Sequence, residues 1–350
     1  MKLPIHDGGY KVDKYNNETI KKVLSNIESQ RFKENLINET CFYKNCTHKP
    51  IDSHVVQRAL LGETLSEDNN VYAWMPQNVA RGISQGKEVF FEETSINQSG
   101  VFKGFCGDKG DSHDAKLFRG IETDVKSTSI EEYVFLYSYR SLIYHLWLEK
   151  GLTLSKDDRV SKMLSNPVIT ELSAKIKDIP AEIRTLLPID DELPRVENLK
   201  KIYENYIDSE GEIGNFSDDF FVKFLSLDRI SIDFATLGTR VYNSKYPITL
   251  GVLPHYKDKP NLFFVVAHKD DETNDLIENL KQITLDNISQ YCWLIQNLPM
   301  KWSTNSFLSP KLYDHLTLTG ELSQLQIFIA STGLLDFKDY QNFNLINVFK

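Results

Sequence analysis

Three of the four cysteines and three of the eight histidines fall between Cys41 and Glu122. Cys41-Phe-Tyr-Lys-Asn-Cys46 forms a first pair, with Thr47-His48 directly behind it. Cys106 and His113 form a second pair, separated by Gly-Asp-Lys-Gly-Asp-Ser. Thiolate sulfur and imidazole nitrogen are the donors zinc prefers, and four of them around one point make its tetrahedral shell. Such donors usually arrive in pairs on tight turns. The spacing of Cys41 and Cys46 suits a zinc knuckle, whereas the gap before His113 is longer than usual. Gly107 and Gly110 allow that gap to fold back. Cys41, Cys46, Cys106 and His113 are therefore the expected zinc ligands, with His48 as the competing fourth. Binding there contributes directly to folding. Cys292, in Tyr-Cys-Trp-Leu-Ile, has an apolar helical context and reads as core.

The elements that must position these groups are legible in outline. Ile20, Val23, Leu24 and Ile27 form one apolar face, which predicts a helix over 17–32. Asp52 or Ser53 is placed to cap a short helix starting at His54 and ending at Gly62. Val71–Met75 and Glu88–Glu92 read as two strands of a hairpin between the halves of the site. Thr128 or Ser129 with Glu131 or Glu132 resembles a capping box ahead of a long apolar helix that Gly151 stops. Helices broken at Pro167, Pro180, Pro188 and Pro194 are expected over 157–208. Strands follow near 220–225, 230–235, 246–253 and 262–268, then a helix capped by Asp270, Asp271 or Thr273. Further helices are expected near 285–297, 309–316 and 320–331.

The expected class is α+β: a small treble-clef-like zinc module, a helical middle region, and a C-terminal antiparallel sheet with helices. The boundaries are drawn at 1–126, 127–210 and 211–350. No apolar run approaches the length a membrane helix needs, and the first residues carry no signal-peptide core, so a cytoplasmic protein is expected. Residues 1–126 carry 17 Lys and Arg against 18 Asp and Glu, so −8 of the net −9 falls beyond them. An acidic chain has no general attraction for phosphate backbones, which leaves the N-terminal part as the less unfavourable place for DNA or RNA.

Cys-x4-Cys, then Ser53-His54-Val-Val, then Cys106 and His113-Asp114 with Lys116 and Phe118 behind, resembles the HNH-type nuclease module. The resemblance covers about 80 residues. It implies a structural zinc held by Cys41, Cys46, Cys106 and His113. It also implies that His54 is the base activating water for phosphodiester hydrolysis. Asp114 and Glu122 become candidate ligands of a catalytic Mg2+ or Mn2+, or electrostatic residues. The sequence departs from the pattern in carrying Ser53 where an acidic residue usually precedes the histidine; Asp52 is one position away. No asparagine stands clearly in place, although Asn69, Asn70 and Asn78 lie between the halves. A small zinc module on a large unrelated domain also looks like bacterial defence or toxin-type proteins.

The alternative is a non-catalytic zinc-binding regulatory or partner-recognition protein. His54 then supports the cluster, and Asp114 orients a zinc-bound imidazole. Glu122 pairs with Arg119. Arg140 and His145, inside the aromatic-rich helix, read as satisfied buried polar groups. His268-Lys-Asp-Asp-Glu reads as a helix N-terminus.

Overall fold

The computed structural model describes residues 40–75, 91–107, 112–152, 192–227, 231–287, 295, 297–303 and 305–330. The helix expected over 17–32, most of the proline-broken stretch, Asn78 and Cys292 lie outside them.

One helix organises the rest. Ser129 and Glu132 make the expected reciprocal cap: the Glu132 N–H donates to Ser129 Oγ at 3.1 Å, and the Ser129 N–H donates to Glu132 Oε2 at 2.9 Å. From this cap α4 runs Ile130–Leu152, through the stop expected at Gly151. Every residue from Tyr133 to Leu148 is buried, because α4 is covered on all sides. One side packs on α5 (Glu192–Tyr206), where Ser138 Oγ and Tyr203 OH lie 2.7 Å apart. Pro194 sits in the first turn of α5, where its missing N–H costs nothing, so it does not break the helix.

A second side of α4 lies on a seven-stranded antiparallel sheet, where Thr239 Oγ1 donates to Ser141 Oγ at 2.8 Å. In chain order its strands are β2 (Asn70–Trp74), β3 (Glu92–Ser95), β5 (Phe220–Ser226), β6 (Phe234–Arg240), β7 (Ile248–Leu253), β8 (Leu262–His268) and β9 (Asn305–Leu308). They are arranged β3-β2-β9-β6-β7-β8-β5. Along β8, Leu262, Phe264 and Val266 face the core that holds α4, while Phe263, Val265 and Ala267 face the opposite one. The opposite core is covered by α6 (Asp275–Lys281), Trp302 and α7 (Pro310–Leu318). The last helix is α8 (Glu321–Ala330). The architecture is thus α+β, with an antiparallel sheet between helices.

The third side of α4 carries the cysteine-bearing segment. Here β1 (Pro50–His54) pairs antiparallel with β4 (Val101–Cys106), followed by the short helices α2 (His113–Leu117) and α3 (Arg119–Glu122). Phe102 and Phe105 of β4 meet Tyr144 and Tyr139 of α4, with centroids 5.4 and 6.1 Å apart.

Several local expectations are corrected. His54 ends a strand instead of starting a helix; α1 is Arg58–Thr64, with Gly62 inside it. Asp52 caps nothing and pairs with Lys103 at 2.6 Å. The β2–β3 hairpin forms with β3 at Glu92–Ser95, positions 88–90 of the expected strand lie outside the described residues, and β9 ties β2 to the large sheet. Packing therefore crosses the boundaries drawn at 126/127 and 210/211. β6 starts four residues later than expected, and Asn274 caps α6 in place of Asp270, Asp271 or Thr273. Asp271 instead accepts from the N–H groups of Lys245 and Tyr246, at 2.5 and 2.8 Å.

Gly211 joins the middle of the chain to the cysteine-bearing segment. Its φ is +81°, and a Cβ there would lie 2.0 Å from the Lys116 carbonyl oxygen on α2. Gly211→Ala should cost roughly 1–3 kcal/mol through strain and displacement of α2. Thermal unfolding of the two proteins checks this, and an unchanged midpoint would show that α2 accommodates the methyl.

Candidate metal centre

The first knuckle is a backbone turn. The Cys41 N–H donates to the His48 carbonyl at 2.8 Å, the Cys46 N–H to the Tyr43 carbonyl at 3.2 Å, and Asn45 takes a left-handed φ of 59°. The Phe42 N–H donates to the Gly104 carbonyl at 2.9 Å, which holds the knuckle over β4. The second pair uses the end of β4 for Cys106 and the first residue of α2 for His113. Ser112 caps that helix, its Oγ accepting from the Ala115 N–H at 3.3 Å.

The four donors converge as expected, with all ligand atoms within 4.8 Å of one another. Cys46 and Cys106 sulfurs are 3.8 Å apart. His113 Nδ1 lies 3.2 Å from the Cys106 sulfur and 3.7 Å from that of Cys41. Zinc bonds of about 2.3 Å to sulfur and 2.0–2.1 Å to nitrogen set tetrahedral edges of about 3.8 Å between sulfurs and 3.5 Å from sulfur to nitrogen. The donor set and its spacing therefore fit zinc. His48 is outside this set. Burial pushes the Cys41 and Cys106 thiols up when no cation is present, and a dication reverses that preference by binding the thiolates. Four protein ligands leave no open coordination position, the arrangement of a structural centre.

The centre is tied to α4 and α5. The Tyr43 ring lies 4.6 Å from the His113 ring, and Tyr43 OH donates to the Ile207 carbonyl at 3.1 Å. Glu204, fully buried, accepts from the Lys44 N–H at 3.2 Å, Tyr139 OH at 2.9 Å and Lys200 Nζ at 2.8 Å. Nothing in the sequence marks Glu204, which shares a helix face with Val196, Leu199 and Tyr203.

His54 stands apart from the zinc set, half-buried at the far end of β1. Its Nε2 lies 3.2 Å from the Ile96 carbonyl. A carbonyl can only accept, so Nε2 carries the proton and Nδ1 is the basic nitrogen. Burial, then the Arg140 guanidinium, lowers the pKa below the usual histidine value, so the imidazole is neutral at pH 7.

Asp114 and Glu122 are brought together, by Arg140. Arg140 Nη2 lies 2.6 Å from Glu122 Oε1 and 3.7 Å from Asp114 Oδ1, with the guanidinium 4.0 Å above the Phe118 ring. Glu122 thus pairs with Arg140, while Arg119 pairs with Asp124 at 3.1 Å. Burial pushes the Asp114 carboxyl up and Arg140 opposes that shift. A hard cation needs carboxylate oxygens turned toward it. Here a 1 % exposed guanidinium bonds Glu122 and lies near Asp114, and its positive charge opposes a Mg2+ or Mn2+ ion at the pair. An arginine inside an otherwise apolar helix was the available signal, since a buried charge requires partners.

Four basic side chains of this segment are also paired. Lys103, Lys116 and Arg119 meet Asp52, Glu210 and Asp124, and Arg58 donates to Asn97 Oδ1 at 3.2 Å. Asn70 donates to Glu93 at 3.0 Å, and the Asn69 carbonyl accepts from the Ile96 N–H at 2.9 Å. Comparison with protein-family models, curated proteins and solved structures found no match.

Cys106→Ser should abolish zinc binding at this centre, because oxygen replaces the sulfur that faces both Cys46 and His113. Zinc content by mass spectrometry of the metal, together with thermal unfolding, checks this. The variant should hold one zinc fewer than the native chain and unfold at lower temperature, whereas an unchanged zinc content would remove Cys106 from the centre.

Proposed function

We propose that the chain is a zinc-stapled, HNH-like hydrolase acting on the phosphodiester bonds of DNA or RNA. One observation supports this reading most: a neutral, half-buried His54 on a strand beside the zinc centre, its Nε2 fixed by the Ile96 carbonyl. In this reading Nδ1 takes a proton from water, the hydroxide oxygen bonds to phosphorus, and the phosphorus–oxygen ester bond breaks, its electron pair leaving on the sugar oxygen, which takes a proton from solvent. The backbone carbonyl holds the tautomer, as a carboxylate does in a catalytic triad. Zinc positions β1 and β4 and takes no part in the chemistry. Divalent-cation dependence belongs to the resemblance; with Asp114 and Glu122 on Arg140, the reading carries no step through such an ion. A role in bacterial anti-phage defence rests on the likeness of the overall layout to defence or toxin-type proteins, and a cytoplasmic location is part of this proposal, drawn from the sequence alone. Among the described residues no helix is long and apolar enough to cross a membrane.

A second reading is non-catalytic partner recognition. The paired basic side chains favour it: Lys103, Lys116 and Arg119 already meet carboxylates, which leaves little local positive charge for a nucleic-acid backbone.

The discriminating experiment incubates the full chain and His54→Ala with supercoiled DNA and with structured RNA, each with and without Mg2+ or Mn2+. The hydrolase reading expects cleavage by the native chain and a loss of at least about 100-fold in His54→Ala, with zinc content unchanged. The acid limb of its pH–rate profile should fall below about pH 6.5, the ordinary histidine value. Absence of cleavage under every condition overturns the hydrolase reading, and equal cleavage by both proteins removes His54 from the chemistry.

A further inference from the structure

The geometry points to a second metal site, formed by His145 and Glu149 of α4 with Glu192 of α5, for a first-row divalent ion of borderline hardness. The ligand atoms of these three residues lie within 4.8 Å of one another. His145 and Glu149 are four apart on one helix, so both side chains project from the same face. Glu192 is the first residue of α5 and reaches the cluster from the neighbouring helix.

A second observation concerns His145 itself. It is 7 % exposed, and its Nε2 is buried with no hydrogen-bond partner among the described residues. A buried imidazole nitrogen left unbonded costs stability unless something binds it. An imidazole nitrogen without a proton has a lone pair to offer a cation. Both glutamates are half-buried, which leaves the site a path from solvent.

One imidazole and two carboxylates suit Zn2+, Mn2+ or Co2+ better than Mg2+, which favours oxygen ligands and retained water. Arg240 influences Glu192, and its positive charge weakens cation binding. The thiolate centre should therefore fill first and this one second. The ion would join the end of α4 to the start of α5, independently of whether His54 is catalytic.

Titration of the metal-stripped full chain with Co2+ tests this. The first equivalent should give intense sulfur-to-cobalt charge transfer, and the second only weak ligand-field bands from nitrogen and oxygen. Elemental analysis after dialysis against Zn2+ should find two ions per native chain. Glu192→Gln and His145→Asn should each hold one and keep the thiolate bands. If His145→Asn fails to fold, Glu192→Gln decides alone. One ion in the native chain, or two in Glu192→Gln, overturns the site.

Discussion

Three sulfurs and an imidazole nitrogen in mutual contact are a costly arrangement for neutral groups and a favourable one around a dication. This cluster, whose donors and spacing fit zinc, is the constraint from which the position of the neighbouring chain follows. It fixes the 41–46 knuckle to the end of β4 and to the first residue of α2. That fixes the β1–β4 ladder, which carries His54, and the start of α2, which carries Asp114. The surrounding segment has some core of its own, but Tyr43, Phe102 and Phe105 all pack outward onto α4, α5 or the turn after α5. Metal and helix packing thus act on the same few residues from opposite sides.

Arg140 is the second centre of charge. A fully buried guanidinium is tolerable only with its partners in place, since removing one leaves an uncompensated charge. Glu122 and Asp114 supply the partners, and the Phe118 face supplies a cation–π contact. Burial and, after it, the same charge lower the His54 pKa, which favours the neutral ring. The residues that the HNH resemblance marks as chemical are therefore electrostatically coupled through one arginine, a coupling that serves a base at neutral pH and opposes a bound cation.

The ligand set was legible because zinc coordination imposes a residue-type code that survives without the fold. The capping box at Ser129 and Glu132 was legible for the same reason: its two hydrogen bonds are local. His54 was misplaced on a helix because Asp52-Ser53 looks like a cap, whereas pairing with Val101, 47 residues away, decides for a strand. β9 was missed because Asn305-Ser-Phe-Leu lacks strand periodicity; it is fully buried between β2 and β6. The pairing of Glu122 with Arg140 over nearby Arg119 is likewise a product of tertiary packing. Local codes were readable, and long-range partners were not.

X-ray absorption at the zinc edge of the purified full chain tests the central claim most directly. The account predicts about one zinc in a shell of three sulfurs at about 2.3 Å and one nitrogen at about 2.0–2.1 Å. When the second site is also filled, Glu192→Gln should isolate that same shell. A shell of oxygen and nitrogen alone, or a purified chain that holds no zinc, would contradict it.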